Sequence, residues 1–159
     1  DQTYDDTRRG GIQGFRRFLA SSEKMMAFVS PAYFGRLWCV YELATFCSDQ
    51  KLHLDPQPEA RLTLLNLNWP GTLSPSKGEE VEPEERSWFT NFRCRDARCF
   101  KPSDRAFVLA AIREAWGSEE KFDHFVATEL PRVLGCSKKQ YRRQLATVLT
   151  SQLELLFGD

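Results

Sequence analysis

Trp38 and Glu42 are the two residues of this sequence whose types and spacing are best suited to chemistry. They stand four positions apart, so on a helix their side chains lie on the same face, one turn from each other. A carboxylate beside a broad indole is a suitable grip for a flat ligand that carries a sugar. We therefore take this pair as the first candidate site.

Hydrophobic patterning predicts the elements around this pair. Met25–Val29 is a compact apolar run without alternation, which is typical of a strand buried on both faces of a parallel sheet. Leu37–Cys47 has helical periodicity, and Leu62–Leu67 is a second short apolar run. In open parallel sheets, ligands bind beyond the carboxyl ends of the strands, so the turn that follows Met25–Val29 is the expected position of a site.

Further elements are predicted on both sides of these. Gly11–Ser22 reads as a short amphipathic helix. Ser87–Phe92 is predicted to be a third strand, because its aromatic residues suit a half-buried pleat. Ser103 is the expected N-cap of a helix that runs to Trp116 and is closed by Gly117.

The remainder of the chain is predicted to be helical. Pro131 is expected to end or kink the next helix, and Ser137 with Gln140 forms a capping-box pattern for a last one. Alternating helices and strands in the first half indicate an α/β fold with a parallel sheet. We therefore predict an α/β domain over residues 1–116, followed by a helical extension over residues 117–159.

Composition narrows the function classes. The 159 residues suit one ordinary domain, and 22 basic against 22 acidic residues argue against a general nucleic-acid binder. No stretch reaches the roughly 18 uninterrupted apolar residues of a membrane-spanning helix. Five scattered cysteines favour free thiols in a reducing, cytoplasmic setting, with a Cys94–Cys99 disulfide as the alternative. The start at Asp1, in a turn-rich segment, predicts that the chain is part of something longer.

Three other clusters are weaker candidates. The acidic stretch Thr72–Arg86 is expected to be an exposed loop rather than an interaction patch. A zinc site is less expected than ordinary thiols, since no second close pair of ligands exists; its ligands would be Cys94, Cys99, His124 and Cys136. A basic cluster is expected to be a solvated helix face rather than a contact for acidic lipid or a partner helix; it comprises Lys138, Lys139, Arg142 and Arg143.

The segment around the candidate pair resembles the signature of the TIR (Toll/interleukin-1 receptor) domain family. The matching positions are Ser30, Tyr33, Trp38, Cys39, Glu42 and Leu43. The resemblance implies a flavodoxin-like parallel sheet of five strands with helices on both faces. It also implies that this chain is incomplete and lacks the first strand, first helix and second strand. Met25–Val29 would then be an open edge, and the segment alone would be marginally stable.

Many TIR domains cleave NAD between nicotinamide and ribose. The resemblance makes Glu42 the catalytic residue, Trp38 a wall of the substrate pocket, and Ser30 and Tyr33 parts of the loop above it. NAD would be a substrate, with no cofactor and no metal required. Nicotinamide leaves as a neutral base, and a carboxylate stabilises the oxocarbenium-like ribose.

Two alternatives remain open at this point. The chain is equally compatible with a non-enzymatic TIR-like module that signals by association with itself or with other TIR-like domains. A related TIR-like incompatibility domain is the other, suggested by the Asp1–Gln2 start and the helix after it.

Overall fold

The computed structural model describes residues 14–66 and 81–157. Two strands pair in parallel: β1, Met25–Val29, lies beside β2, Leu62–Asn66, with Met25 opposite Leu62. Both strands were predicted, and the chain between them is helical. This βαβ arrangement confirms a mixed α/β class, although helices make up most of the described residues.

In the described part of the chain, six α-helices accompany the sheet. They are α1 (residues 14–21), α2 (Pro31–Phe34), α3 (Leu37–Asp49), α4 (Pro83–Thr90), α5 (Pro102–Trp116) and α6 (Glu119–Phe157). Short 3₁₀ turns stand at Leu52–Leu54, Pro58–Ala60 and Cys94–Asp96. The helix predicted over Gly11–Ser22 is confirmed for residues 14–21, while its first three residues lie outside the described part of the chain.

The prediction that β1 is buried on both faces is wrong. Ala27 and Val29 are buried, but Met26 is 60% exposed and Phe28 is 51% exposed. Residues alternate between the faces of a strand, so one face of β1 contributes to the core and the other meets solvent. Within residues 14–66 and 81–157, no element covers the outer face enough to bury these two side chains.

The prediction of a strand at Ser87–Phe92 is also wrong, because α4 occupies most of that range. Pro83 stands in the first turn, and Glu82 and Glu85 form a reciprocal capping box with each other's backbone. These start signals outweigh the strand preference of the aromatic residues. The prediction of an exposed acidic loop at Thr72–Arg86 is likewise wrong from residue 83 onward, because the chain there is helical and Glu85 is buried. Residues 72–80 lie outside the described part of the chain.

The boundaries of α5 agree with the prediction at one end only. Its C-cap is Gly117, whose φ of 81° is in the left-handed region that favours glycine. The helix starts at Pro102 with Lys101 in the N-cap position, rather than at Ser103. Proline is suited to the first position because it has no N–H to leave unpaired there.

The two separate helices predicted after Gly117 form a single helix, α6. Pro131 lies inside α6, so it does not end the helix, and Ser137 is not an N-cap. The Ser137 hydroxyl donates to the carbonyl of Val133 at 2.8 Å and accepts the backbone N–H of Leu64 at 3.0 Å. A side chain of α6 thus supplies a hydrogen-bond partner to β2, and the packing of both flanks of Pro131 into one core maintains the helix.

The core joins residues of α3, α4, α5 and α6. An aromatic chain runs through it, with ring contacts between Phe34 and Phe89, Phe34 and Phe92, Phe92 and Phe122, and Trp116 and Phe122. Buried residues of α6, among them Val126, Leu130 and Leu134, belong to the same core. The first part of the predicted helical extension therefore packs together with the α/β part.

Candidate active site

The turn after β1 is organised by Ser30. Its backbone is extended, with φ of −161°, and its hydroxyl accepts the N–H of Tyr33 at 3.2 Å. Ser30 is therefore the N-cap of α2, and Pro31 occupies the first helical position. The hydroxyl predicted to lie above a substrate pocket has a structural function in this turn.

Backbone contacts with a distant segment fix the start of α3. Leu37 donates its N–H to the carbonyl of Arg98 at 2.8 Å, and Arg98 donates to the carbonyl of Gly35 at 2.8 Å. The Tyr33 hydroxyl donates to the carbonyl of Cys39 at 3.2 Å, across the same turn. The first turn of α3 is thus connected both to α2 and to residue 98, which the sequence pattern did not indicate.

Trp38 and Glu42 both lie on α3 and are both half-buried. The Trp38 ring meets the ring of Tyr41 edge-on, with centroids 5.8 Å apart. Partial burial raises the pKa of the Glu42 carboxyl above its usual range, and the positive charge of Arg36 opposes that rise. Glu42 therefore holds its proton more strongly than a fully exposed glutamate does.

Tyr33 and Cys39 share the electrostatic environment of Glu42. Burial raises the pKa of the Tyr33 hydroxyl, and the charges of Cys39 and Glu42 raise it further. Burial also raises the pKa of the Cys39 thiol, against the opposing charge of Arg36. The predicted residues Tyr33 and Glu42 therefore share one electrostatic environment with the motif residue Cys39 and with Arg36, which was not a predicted site residue.

A cavity of about 240 Å³ adjoins this turn. Pro31 and Gly35 form one side of it, and Trp88 of α4 belongs to another. Trp38 and Glu42 do not line this cavity. Sequence reasoning could not include Trp88, because it assigned this residue to a strand.

The cysteines and the proposed metal ligands do not form a site. All five cysteines are free thiols, and burial raises the pKa values of Cys47 and Cys94. Within residues 14–66 and 81–157, no three histidine, cysteine or acidic side chains are grouped so that they could hold a metal ion. In the same part of the chain, no helix combines the length and the apolar character that crossing a bilayer requires.

The prediction that the basic cluster of α6 is a solvated face is wrong at one position, Lys138. Lys138 is only 1% exposed and forms an ion pair with Glu85, whereas its neighbour Lys139 is exposed as expected. Part of the expected solvated face is therefore part of the interior.

The chain matches no protein-family model, no curated protein and no solved structure with which it was compared. The resemblance to TIR domains thus depends on the six motif positions from Ser30 to Leu43. It remains a prediction from those residues.

Proposed function

We propose that this chain is a TIR-like intracellular signalling domain that cleaves NAD at the bond between nicotinamide and ribose through Glu42. The observation that carries the proposal is the position of Glu42: half-buried, with a raised pKa, and one helical turn from Trp38 on the helix that follows a parallel strand. Burial of this kind is common at carboxylates that take part in chemistry.

The finer fold assignment belongs to the same proposal. In a flavodoxin-like sheet, β1 and β2 correspond to the third and fourth strands, and α3 is the crossover helix between them. The parallel pairing of Met25–Val29 with Leu62–Asn66 supports this correspondence. Because Pro83–Thr90 is helical, Ser87–Phe92 is no longer assigned as the fifth strand.

The reaction requires little proton transfer to the leaving group. The bond between ribose C1′ and the pyridinium nitrogen breaks, and its electron pair neutralises the nitrogen. The ionised Glu42 carboxylate stabilises the positive charge that develops on the ribose, and Trp38 contacts the flat part of the substrate. Water then adds to C1′ and releases its proton to solvent.

The test measures nicotinamide release from NAD by the chain immobilised at high density, so that the domains can associate. Glu42→Gln should remove the turnover, while Glu114→Gln, an exposed glutamate on α5, should retain it. Circular dichroism establishes that both variants are folded. Equal turnover in the Glu42→Gln variant and the unmodified chain would contradict the assigned role of Glu42.

A non-enzymatic module that signals by association is the second candidate, and the exposed face of β1 favours it. Met26 and Phe28 present apolar surface on the same face of an edge strand. Concentration-dependent oligomers that Phe28→Ser abolishes, together with no turnover in any variant, would support association in place of catalysis. Monomers at all concentrations would exclude it.

A further inference from the structure

A second cavity, of about 570 Å³, is lined by other residues than those around Glu42. The 3₁₀ turn after α3, the end of α5 and the first turns of α6 line it, and both histidines of the chain, His53 and His124, belong to its wall. Its volume is in the range of small-molecule sites in proteins. The histidines are 71 positions apart, so only the fold brings them to one cavity.

The floor of this cavity is aromatic and firmly held. The Trp116 indole donates its Nε1–H to the carbonyl of Ala44 at 3.0 Å. The rings of Phe125 and His53 pack against it, with centroid distances of 4.9 and 5.2 Å. Trp116 and Phe125 are only 9% and 4% exposed, so they offer the cavity a small, fixed apolar surface on which a planar ring can pack at little cost in conformational entropy.

The two carboxylates of the wall each pair with an arginine from outside the cavity. Glu120 pairs with Arg95 at 2.7 Å, and Glu129 pairs with Arg132 at 3.2 Å. Neither arginine lines the cavity. Arg95 also pairs with Glu119, and Arg132 also pairs with Glu59, so the arginines offset the negative charge of the wall only in part.

Lys121 is different. Its ammonium stands at the end of α5, about 3.3 Å from the position that a Cβ on Gly117 would take. Among the described residues, no carboxylate lies within ion-pair distance of it. In the part of the chain that the structure describes, the cavity wall thus contains one cation without an ion pair, the exposed Lys121, and the imidazole N–H groups of His53 and His124 are further donors.

We propose that this cavity binds a small planar aromatic anion, with the ring against Trp116 and Phe125 and the anionic group at Lys121. Carboxylate and phosphate groups share the chemistry that this end of the cavity recognises. The site does not depend on the proposed NAD cleavage. Neither Glu42 nor the residues discussed with it, which are Tyr33, Arg36, Trp38 and Cys39, line this cavity.

The experiment titrates the full chain with 1-naphthoate, with 1-naphthyl phosphate, and with the uncharged 1-naphthamide. The two histidines give two Cε1–H resonances, and both should shift on addition of either anion. The anions should bind more tightly than the amide, since a charge-assisted contact contributes about tenfold in affinity. Absence of shifts at both histidines, or equal binding of naphthoate and naphthamide, would overturn the proposal.

Matched variants test the position of the charge. Lys121→Met should lower the affinity for both anions about tenfold and leave the affinity for naphthamide unchanged. Lys139→Met, an exposed lysine of the same helix outside the cavity, should change neither. If the two variants behave alike, Lys121 does not hold the anion. If Glu42→Gln also weakens anion binding, the two sites are not independent and the assignment fails.

Discussion

Glu85 of α4 and Lys138 of α6 form an ion pair although 53 positions separate them and both side chains are almost wholly buried. The carboxylate has two more partners: Asn66, at the end of β2, donates to it at 2.7 Å, and the backbone N–H of Glu82 donates at 3.0 Å. One carboxylate therefore connects the sheet, the start of α4 and the middle of α6.

Breaking this pair at one end should destabilise the fold strongly. Lys138→Met leaves the Glu85 carboxylate buried without its counter-charge, and such a loss costs about 3–5 kcal/mol. Adding Glu85→Gln should restore a large part of that stability, because it removes the uncompensated buried charge, and the amide oxygen still accepts from one of the two neutral donors. Denaturant unfolding measures both values, with Lys139→Met as the control that should change stability by less than about 0.5 kcal/mol. A double variant less stable than Lys138→Met would contradict this account.

Ser137→Ala should cost about 1–3 kcal/mol, because the N–H of Leu64 would lose its acceptor in a buried position. Ser151→Ala is a matched control: Ser151 makes the same kind of bond to the carbonyl four residues earlier, but it is exposed. Thermal or urea unfolding compares the two. Similar losses in both variants would mean that the contact with β2 contributes nothing.

Gly117→Ala should destabilise the end of α5 by about 1–2 kcal/mol, since alanine resists the left-handed conformation at φ of 81°. Gly14→Ala should have the opposite effect and stabilise by about 0.5–1 kcal/mol, because Gly14 is helical and an added Cβ would meet open space. Unfolding of both variants under the same conditions tests the sign of each change. A loss of stability in Gly14→Ala would count against a helix at residue 14.

The raised pKa of Glu42 predicts a pH dependence. The folded state binds this proton more tightly than the unfolded chain, whose carboxyl has its usual pKa near 4.5. The stability from this group is therefore complete below about pH 4.5 and is lost as the pH rises through the folded pKa. Relative to Glu42→Gln, the unmodified chain should become less stable as the pH rises from about 4.5 through the folded pKa of Glu42. Glu114→Gln, at an exposed position, controls for the removal of a charge, and a pH-independent difference for Glu42→Gln would contradict the burial of its carboxyl.

Local signals were sufficient for some elements. The strands Met25–Val29 and Leu62–Asn66 are short apolar runs with clear terminators, and Gly117 ends α5 where its freedom at positive φ is needed. The placement of Trp38 and Glu42 one turn apart on the same helix also followed from their spacing alone. These features depend on residues that are neighbours in the chain.

Features that depend on distant residues were missed. The burial of Lys138 requires Glu85, and the uninterrupted helix through Pro131 requires a core on both of its flanks. Trp88 favoured a strand in isolation, whereas the capping residues before it determine a helix. The cavity beside Trp116 collects residues from three segments, so no single stretch of sequence announces it.

The length of α6 has a consequence for anything joined to its end. At about 1.5 Å per residue, its 39 residues extend roughly 58 Å, nearly twice the 30 Å of a helix that crosses a small domain. From residue 143 to residue 151, every side chain that the structure describes is exposed, so this part runs clear of the packed body. A fluorophore or a fused protein attached there would be carried on a stiff spacer, and its tumbling would follow the orientation of the whole molecule.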